Sequence, residues 1–254
     1  MIDWGAELAV VLTWLLVATR LSTALMFSTL IGFAGLPSPV KLIFTLALSI
    51  PLAVSSVPVV LPSNDVNLVL MFGRELAVGA ALGFGLHVIA AAIQFGGRIL
   101  DNQIGFSAGV LLNPQTRSFE PLTGSLLLMV AGALFFAMDA HHSLLRGLAY
   151  SLSVTPPGMS TTLQFEPLLA QFGLVFTFGL LVIAPIFMVL LAVDIAAAVA
   201  SRSLPQFNIY FVALPLKAAL GIFLLGLFSP AFEKVVTVLV TVVFGGWPAI
   251  LGGG

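Results

Sequence analysis

From Pro167 to Val193 the chain runs without a single charged residue, and the run ends abruptly at Asp194. Crossing the hydrocarbon core of a bilayer takes about 20 apolar residues in an α-helix. This stretch exceeds that length, so it predicts a membrane-spanning helix, with Pro185 inside it as a candidate kink. The composition of the whole chain points the same way. Of 254 residues, 60% are hydrophobic and 7% charged, against about 25% charged in a soluble domain. The mean hydropathy is +1.18. A net charge of −1 supplies no basic surface for nucleic acid. The absence of cysteine excludes disulfides, thiolate metal sites and a cysteine nucleophile. Met1 to Gly5 lacks a basic n-region and leads into an apolar run too long for a cleaved leader, so the N-terminus is expected to be retained.

The other apolar segments are Ala6 to Ile31, Leu42 to Leu61, Val66 to Ile93, Leu122 to Met138, Ile209 to Phe228 and Val235 to Ile250. Ser143 to Ser153 fits a short amphipathic helix that Pro156, Pro157 and Gly158 bring to an end. The fold class is therefore all-α and integral to a membrane. Turns are expected at Gly32 to Pro39, at Ser63-Asn64-Asp65 and at Leu204 to Asn208. Gln94 to Pro121 breaks the apolar pattern with Gly96-Gly97, Gly105, Gly109 and Asn113-Pro114, yet keeps Ile104, Phe106, Val110, Leu111 and Leu112. An apolar, glycine-rich connector belongs against protein or along a cavity.

Charges within apolar runs are the candidate functional residues. Arg20 lies near the middle of the first segment, where exposure to lipid costs about 2.5 to 3.5 kcal/mol. It should face protein; the alternative is a helix end from which the side chain snorkels. Lys41 and Lys217 each follow a proline by two residues, and both are expected in the first turn of an apolar helix, where the dipole disfavours a cation. Each thus calls for an outside partner such as a carboxylate. Asp194, Ala198 and Arg202 recur every four residues and share one helical stripe. Glu75, Gly79, Gly83 and His87 do the same, with the two glycines letting another helix approach closely. Asp139, His141 and His142 invite a metal reading, but a site normally needs three or four convergent ligands and nothing nearby supplies them, so they are read as a polar helix boundary. Alternating crossings put Lys41, Arg98, Arg117 and Arg202 on one side and Arg146 and Lys234 on the other, too even a division for the positive-inside rule. The charges bordering apolar runs imply burial against other subunits.

No catalytic constellation, HExxH or phosphate-binding Gly-Lys-Ser/Thr loop is present, so an enzyme is not expected, nor is a cofactor or metal. Broken helices with charges fit a transporter, but related halves are missing.

Taken together, Arg20, Gly35-Leu-Pro37, Lys41, Glu75 with Gly79 and Gly83, and Gly97, Asp101 and Gly105 carry a resemblance. Asp139 with His141-His142, Pro156, Pro185, Asp194, Arg202-Ser-Leu-Pro205-Gln206-Phe-Asn208 and Pro215-Leu-Lys217 with Gly221 extend it over nearly the whole chain. In these residues the chain resembles the FliR family of flagellar export-gate proteins and its SctT-like injectisome counterparts. The resemblance implies helical hairpins like a FliP-FliQ fusion, with residues 1–166 FliP-like and 167–254 FliQ-like, packed in a helical assembly in the bacterial inner membrane at the flagellar basal body. It implies FliP and FliQ homologues, an FlhB homologue and a larger export-gate protein as partners, membrane lipid around them, and unfolded export substrates as cargo. It also implies a plug over the closed pore, with Phe106, Val110, Leu111 and Leu112 as gate residues and Gly105 and Gly109 as hinges. Arg20, Lys41, Glu75, Asp101, Asp194, Arg202 and Lys217 would join subunits or hairpins. The alternatives are an injectisome homologue and a small-solute transporter or channel.

Overall fold

The computed structural model describes residues 4–26, 28, 36–60, 65–106, 121–160, 162–203 and 209–252. Among them every regular element is helical. The helices are α1 (Trp4–Leu25), α2 (Ser38–Val54), α3 (Asp65–Ile104), α4 (Leu122–Ala137), α5 (Ala140–Val154), α6 (Phe165–Ser203), α7 (Ile209–Leu227), α8 (Ser229–Gly245) and the single turn α9 (Trp247–Ile250). Among the described residues, four apolar stretches are long enough to cross a membrane: Glu7–Leu25, Val66–Ile104, Phe165–Ser203 and Ser229–Ile250. The pair α4 and α5, bent by 74° at the break between them, makes a fifth if the two count as one broken span. The expected membrane-type, all-α fold is what the chain adopts.

Two sequence expectations fail. The connector expected from Gln94 does not begin there, because α3 continues as one helix to Ile104. Glycine costs helix stability mainly by exposing backbone and losing entropy, but Gly96 and Gly97 are buried and repaid by contact. A Cβ on Gly97 would overlap the backbone of Gly124 on α4, and one on Gly96 would sit 2.5 Å from the carbonyl oxygen of Gly179 on α6. These glycines mark helix crossings, not a turn. Likewise Pro215 lies within α7, which starts at Ile209, so Lys217 is in the body of the helix and not in its first turn. Lys41 is in the first turn of α2, after Pro39.

The chain forms two compact units. Unit 1 comprises residues 1–89, 135–172 and 240–254. Here α1 packs against α2, and Leu12 and Leu16 of α1 pack with Met71 of α3. The amide of Val59, beyond α2, donates to Thr13 Oγ1 on α1 over 2.9 Å. Gly79 and Gly83 bring α1 and α3 together as the small-residue stripe implies: a Cβ on Gly79 would overlap Thr23 Oγ1 and the Arg20 carbonyl, and one on Gly83 would lie 2.9 Å from the Ala24 carbonyl. Trp247, buried in α9, fills the space beside Gly147 of α5. Unit 2 comprises residues 90–134 and 173–239. Its close approaches are Gly97 to Gly124, Gly96 to Gly179 and Gly221 of α7 to Ile104, and the rings of Phe95 and Phe176 meet edge-on at 5.4 Å.

Two substitutions on α3 test the role of close approach. Nothing lies within 4 Å of a Cβ added at Gly73, so Gly73→Ala should raise stability by up to about 1 kcal/mol through helix propensity. Gly79→Ala should instead lower it by about 1 to 3 kcal/mol through overpacking. Thermal unfolding in detergent, followed by circular dichroism, checks the opposite signs.

Candidate functional site

The apolar first segment buries Arg20 to 1% exposure in the core of unit 1. A guanidinium there must have every donor satisfied, because an unpaired one has no water to turn to. Its Nε donates to Glu75 Oε2 at 2.6 Å and its Nη2 to Glu75 Oε1 at 3.1 Å, a bidentate pair between α1 and α3. Nη2 also donates to the Thr155 carbonyl at 2.8 Å. Nη1 reaches the Ser151 carbonyl at 2.9 Å and Thr155 Oγ1 at 3.2 Å. All five N–H groups thus find acceptors. Two of those acceptors are carbonyls at the C-terminal end of α5, where the dipole is negative; the Ser151 carbonyl also accepts the Thr155 amide, whereas Thr155 lies just past the last helical residue. Arg20 therefore caps α5 while it pairs with Glu75. Glu75 Oε1 takes a further bond of 2.9 Å from the Gly158 amide. Gly158 has φ +76°, a conformation that glycine adopts without steric cost, and this turn aims its N–H at the carboxylate.

In unit 2, Asp101 on α3 is 5% exposed. It accepts a 3.0 Å bond from the Thr123 amide at Oδ1 and a short one from Thr123 Oγ1. Thr123 is in the first turn of α4, so a carboxylate from another helix occupies the positive end of α4. Arg20 and Asp101 are thus opposite charges on opposite ends of the bent pair of helices.

The third constellation joins α6, α7 and α3. Lys217 Nζ donates to both oxygens of Asp194, at 2.8 and 3.0 Å, and Gln103 Nε2 donates to Asp194 Oδ2 at 2.7 Å. Lys217 thus has a carboxylate partner although it is not in a first turn. Asp194 and Arg202 share a stripe but stand two helical turns apart, too far to pair. Arg202 is exposed in the last turn of α6, where a cation suits the dipole. Lys41 is half-buried.

Of the gate residues, Gly105 and Phe106 are described, whereas Gly109, Val110, Leu111 and Leu112 lie outside the described residues. Gly105 ends α3 with φ +93° and packs on Leu214. Phe106 lines an apolar cavity of about 500 Å³ with Leu100, Leu126, Val182, Ile222 and Phe232. Ser151, Thr155, Gly158, Thr123 and Gln103 complete the polar clusters without having been singled out in the sequence. Thr123, just after Pro121 and ahead of an apolar run, carried a recognisable helix-start signal; the others carried none.

Apolar helices of spanning length, packed around a buried and fully bonded Arg20–Glu75 pair, are those of an integral membrane protein. Comparison with known proteins gives the class a family. Residues 11–242 match the family model described as "Bacterial export proteins, family 1". The flagellar biosynthetic protein FliR of Bacillus subtilis is 31% identical over 220 residues, covering 84% of each chain. FliR of Escherichia coli is 29% identical over 203 residues, covering 77% of this chain and 76% of its own. The Yop proteins translocation protein T of Yersinia pestis is 29% identical over 189 residues, or 72% of each. The chain belongs to this family of bacterial export proteins, the FliR and SctT family of type III secretion export-apparatus subunits. With its spanning-length helices, it is a protein of the bacterial inner membrane.

The Arg20–Glu75 and Asp194–Lys217 pairs differ in burial, and that sets their expected energetics. Removing one partner of the buried pair, as in Arg20→Ala, strands Glu75 and should cost about 3 to 5 kcal/mol. The Lys217 and Asp194 side chains are 14% and 41% exposed, so Asp194→Ala, which leaves a partly covered ammonium unpaired, should cost less, about 1 to 3 kcal/mol. Unfolding midpoints of the two variants in the same detergent check the contrast, and comparable losses would contradict it.

Proposed function

We propose that this chain is the pore-forming, gate-bearing subunit of a flagellar type III protein export apparatus, passing unfolded flagellar proteins across the inner membrane at the basal body. The observation that carries the reading is the family match over residues 11–242, joined to relatives named for flagellar biosynthesis. The chain would work with FliP and FliQ homologues, an FlhB homologue and a larger export-gate protein. Residues 1–166 would serve as the FliP-like part and 167–254 as the FliQ-like part. The exposed apolar side chains support neighbours of this kind: Val69, Leu169, Met188, Val212 and Phe223 all project from spanning-length or shorter apolar helices and need lipid or protein to cover them. An injectisome role is the second reading, favoured by the match to the Yersinia translocation protein.

In this reading the buried charges hold hairpins in register, and the segment that follows Gly105 closes the pore. An apolar constriction stops water and ions by dewetting, while an unfolded chain displaces it. Gly105, with positive φ, is the hinge, and Phe106 begins the apolar plug that continues through Gly109 to Leu112. No step in this subunit uses a nucleotide; the energy for transport enters elsewhere in the apparatus.

Co-expression with FliP-like and FliQ-like proteins, followed by native mass spectrometry, should yield a discrete hetero-oligomer with one copy of this chain. A self-sufficient homo-oligomer that moves small solutes would overturn the reading. Deleting Gly109 to Leu112 should raise ion conductance through the assembled complex in planar bilayers, and an unchanged conductance would remove the gate from that segment.

A further inference from the structure

The break between α4 and α5 holds a cluster that the export reading does not use. Asp139 adopts a left-handed conformation, φ 56° and ψ 24°, at the N-cap position of α5. An aspartate there ordinarily caps the helix by accepting a bond from its first-turn amides. Asp139 makes no such side-chain bond. Its carboxylate faces two histidines instead: His142 Nδ1 is 3.4 Å and His141 Nε2 is 4.0 Å from Asp139 Oδ1. One ligand atom from each of the three residues falls within 4.8 Å of the others.

We propose that Asp139, His141 and His142 bind a borderline divalent transition ion of the zinc or cobalt class. Two imidazole nitrogens and one carboxylate oxygen form a three-ligand set of the kind that leaves a further position to water. With metal–ligand bonds of about 2.0 to 2.1 Å, the edges of a tetrahedral site are about 3.3 Å. The Asp139 to His142 separation already has this length. The Asp139 to His141 separation is longer by several tenths of an ångström, which side-chain rotation closes, since Asp139 and His142 are mostly exposed and His141 is about one-third exposed. The two imidazole rings, 4.1 Å apart with one resting against Phe136, are already on the same side of the turn as the carboxylate.

The geometry also sets the strength. Metal-binding histidines usually give their second nitrogen a hydrogen-bond partner, and losing such a partner costs about 10- to 100-fold in affinity. His141 Nδ1 is buried without one. The site is therefore weak and exchangeable, suited to a labile ion and not to one built in during folding.

The test uses the full chain, purified in detergent through an affinity tag without histidine, and titrated with Co(II) while its ligand-field absorption is followed. An intense band typical of low coordination should rise hyperbolically and level off, with excess Co(II), at one ion bound per chain, and Zn(II) should abolish it. His141→Ala with His142→Ala, and separately Asp139→Asn, should weaken Co(II) binding by at least about tenfold. The chain has three histidines, so His87 remains in every variant as an internal control. Unfolding of each variant in a chelator, matching the parent, separates loss of the site from loss of the fold. No saturable band up to millimolar Co(II), or binding unaltered in the double variant, would overturn the proposal.

Discussion

Everything in unit 1 depends on how an arginine can be kept in an apolar interior. A charge away from water is tolerable only when paired and hydrogen-bonded throughout. Arg20 meets that condition with groups from three separate parts of the chain: Glu75 on α3, and Ser151 and Thr155 at the end of α5. The arrangement satisfies two deficits at once. The Thr155 carbonyl, just past the end of α5, gains a donor, and the Ser151 carbonyl, which already accepts from the Thr155 amide, gains another. The guanidinium supplies those donors while Glu75 balances its charge. Asp101 solves the mirror-image problem at the start of α4, where the Thr123 amide needs an acceptor. A pair of that kind is weak evidence for net stability, but it fixes which helix ends can meet.

Glycine does the complementary work along the helix bodies. Between apolar helices in lipid, hydrophobicity gives little drive to associate, and close packing must supply it. Gly79, Gly83, Gly96, Gly97 and Gly221 each admit backbone or side chain of a neighbouring helix at a distance that a methyl group would forbid. Polar clusters select the pairing, and glycine contacts set how near the partners come.

Much of this could be read from residues alone, and the limits were physical. Spanning-length segments, burial of Arg20 and the close-packing stripe at Gly79 and Gly83 follow from apolar length, desolvation cost and helical period, all of which are local. The extent of α3 was misjudged because Gly96-Gly97 looks the same in sequence whether it breaks a helix or allows a crossing; only the partner, Gly124 or Gly179, tells them apart. Lys217 advertised a need for a carboxylate, but its own helix could not say that Asp194 would meet it, and the nearby Arg202 was the more obvious choice by spacing. The contributions of Ser151, Thr155 and Gly158 were invisible because their backbone groups, present in any sequence, do much of the bonding.

The Arg20 cluster also has a history in time. Its acceptor on α5 stands 131 positions further along the chain. At synthesis rates of about 5 to 20 residues per second, roughly ten seconds separate the two on the ribosome. During that interval the first apolar helix carries a guanidinium whose final acceptors do not yet exist. Exposed to lipid, such a charge costs about 2.5 to 3.5 kcal/mol, and the complete set of acceptors that removes this cost exists only once α5 has been made.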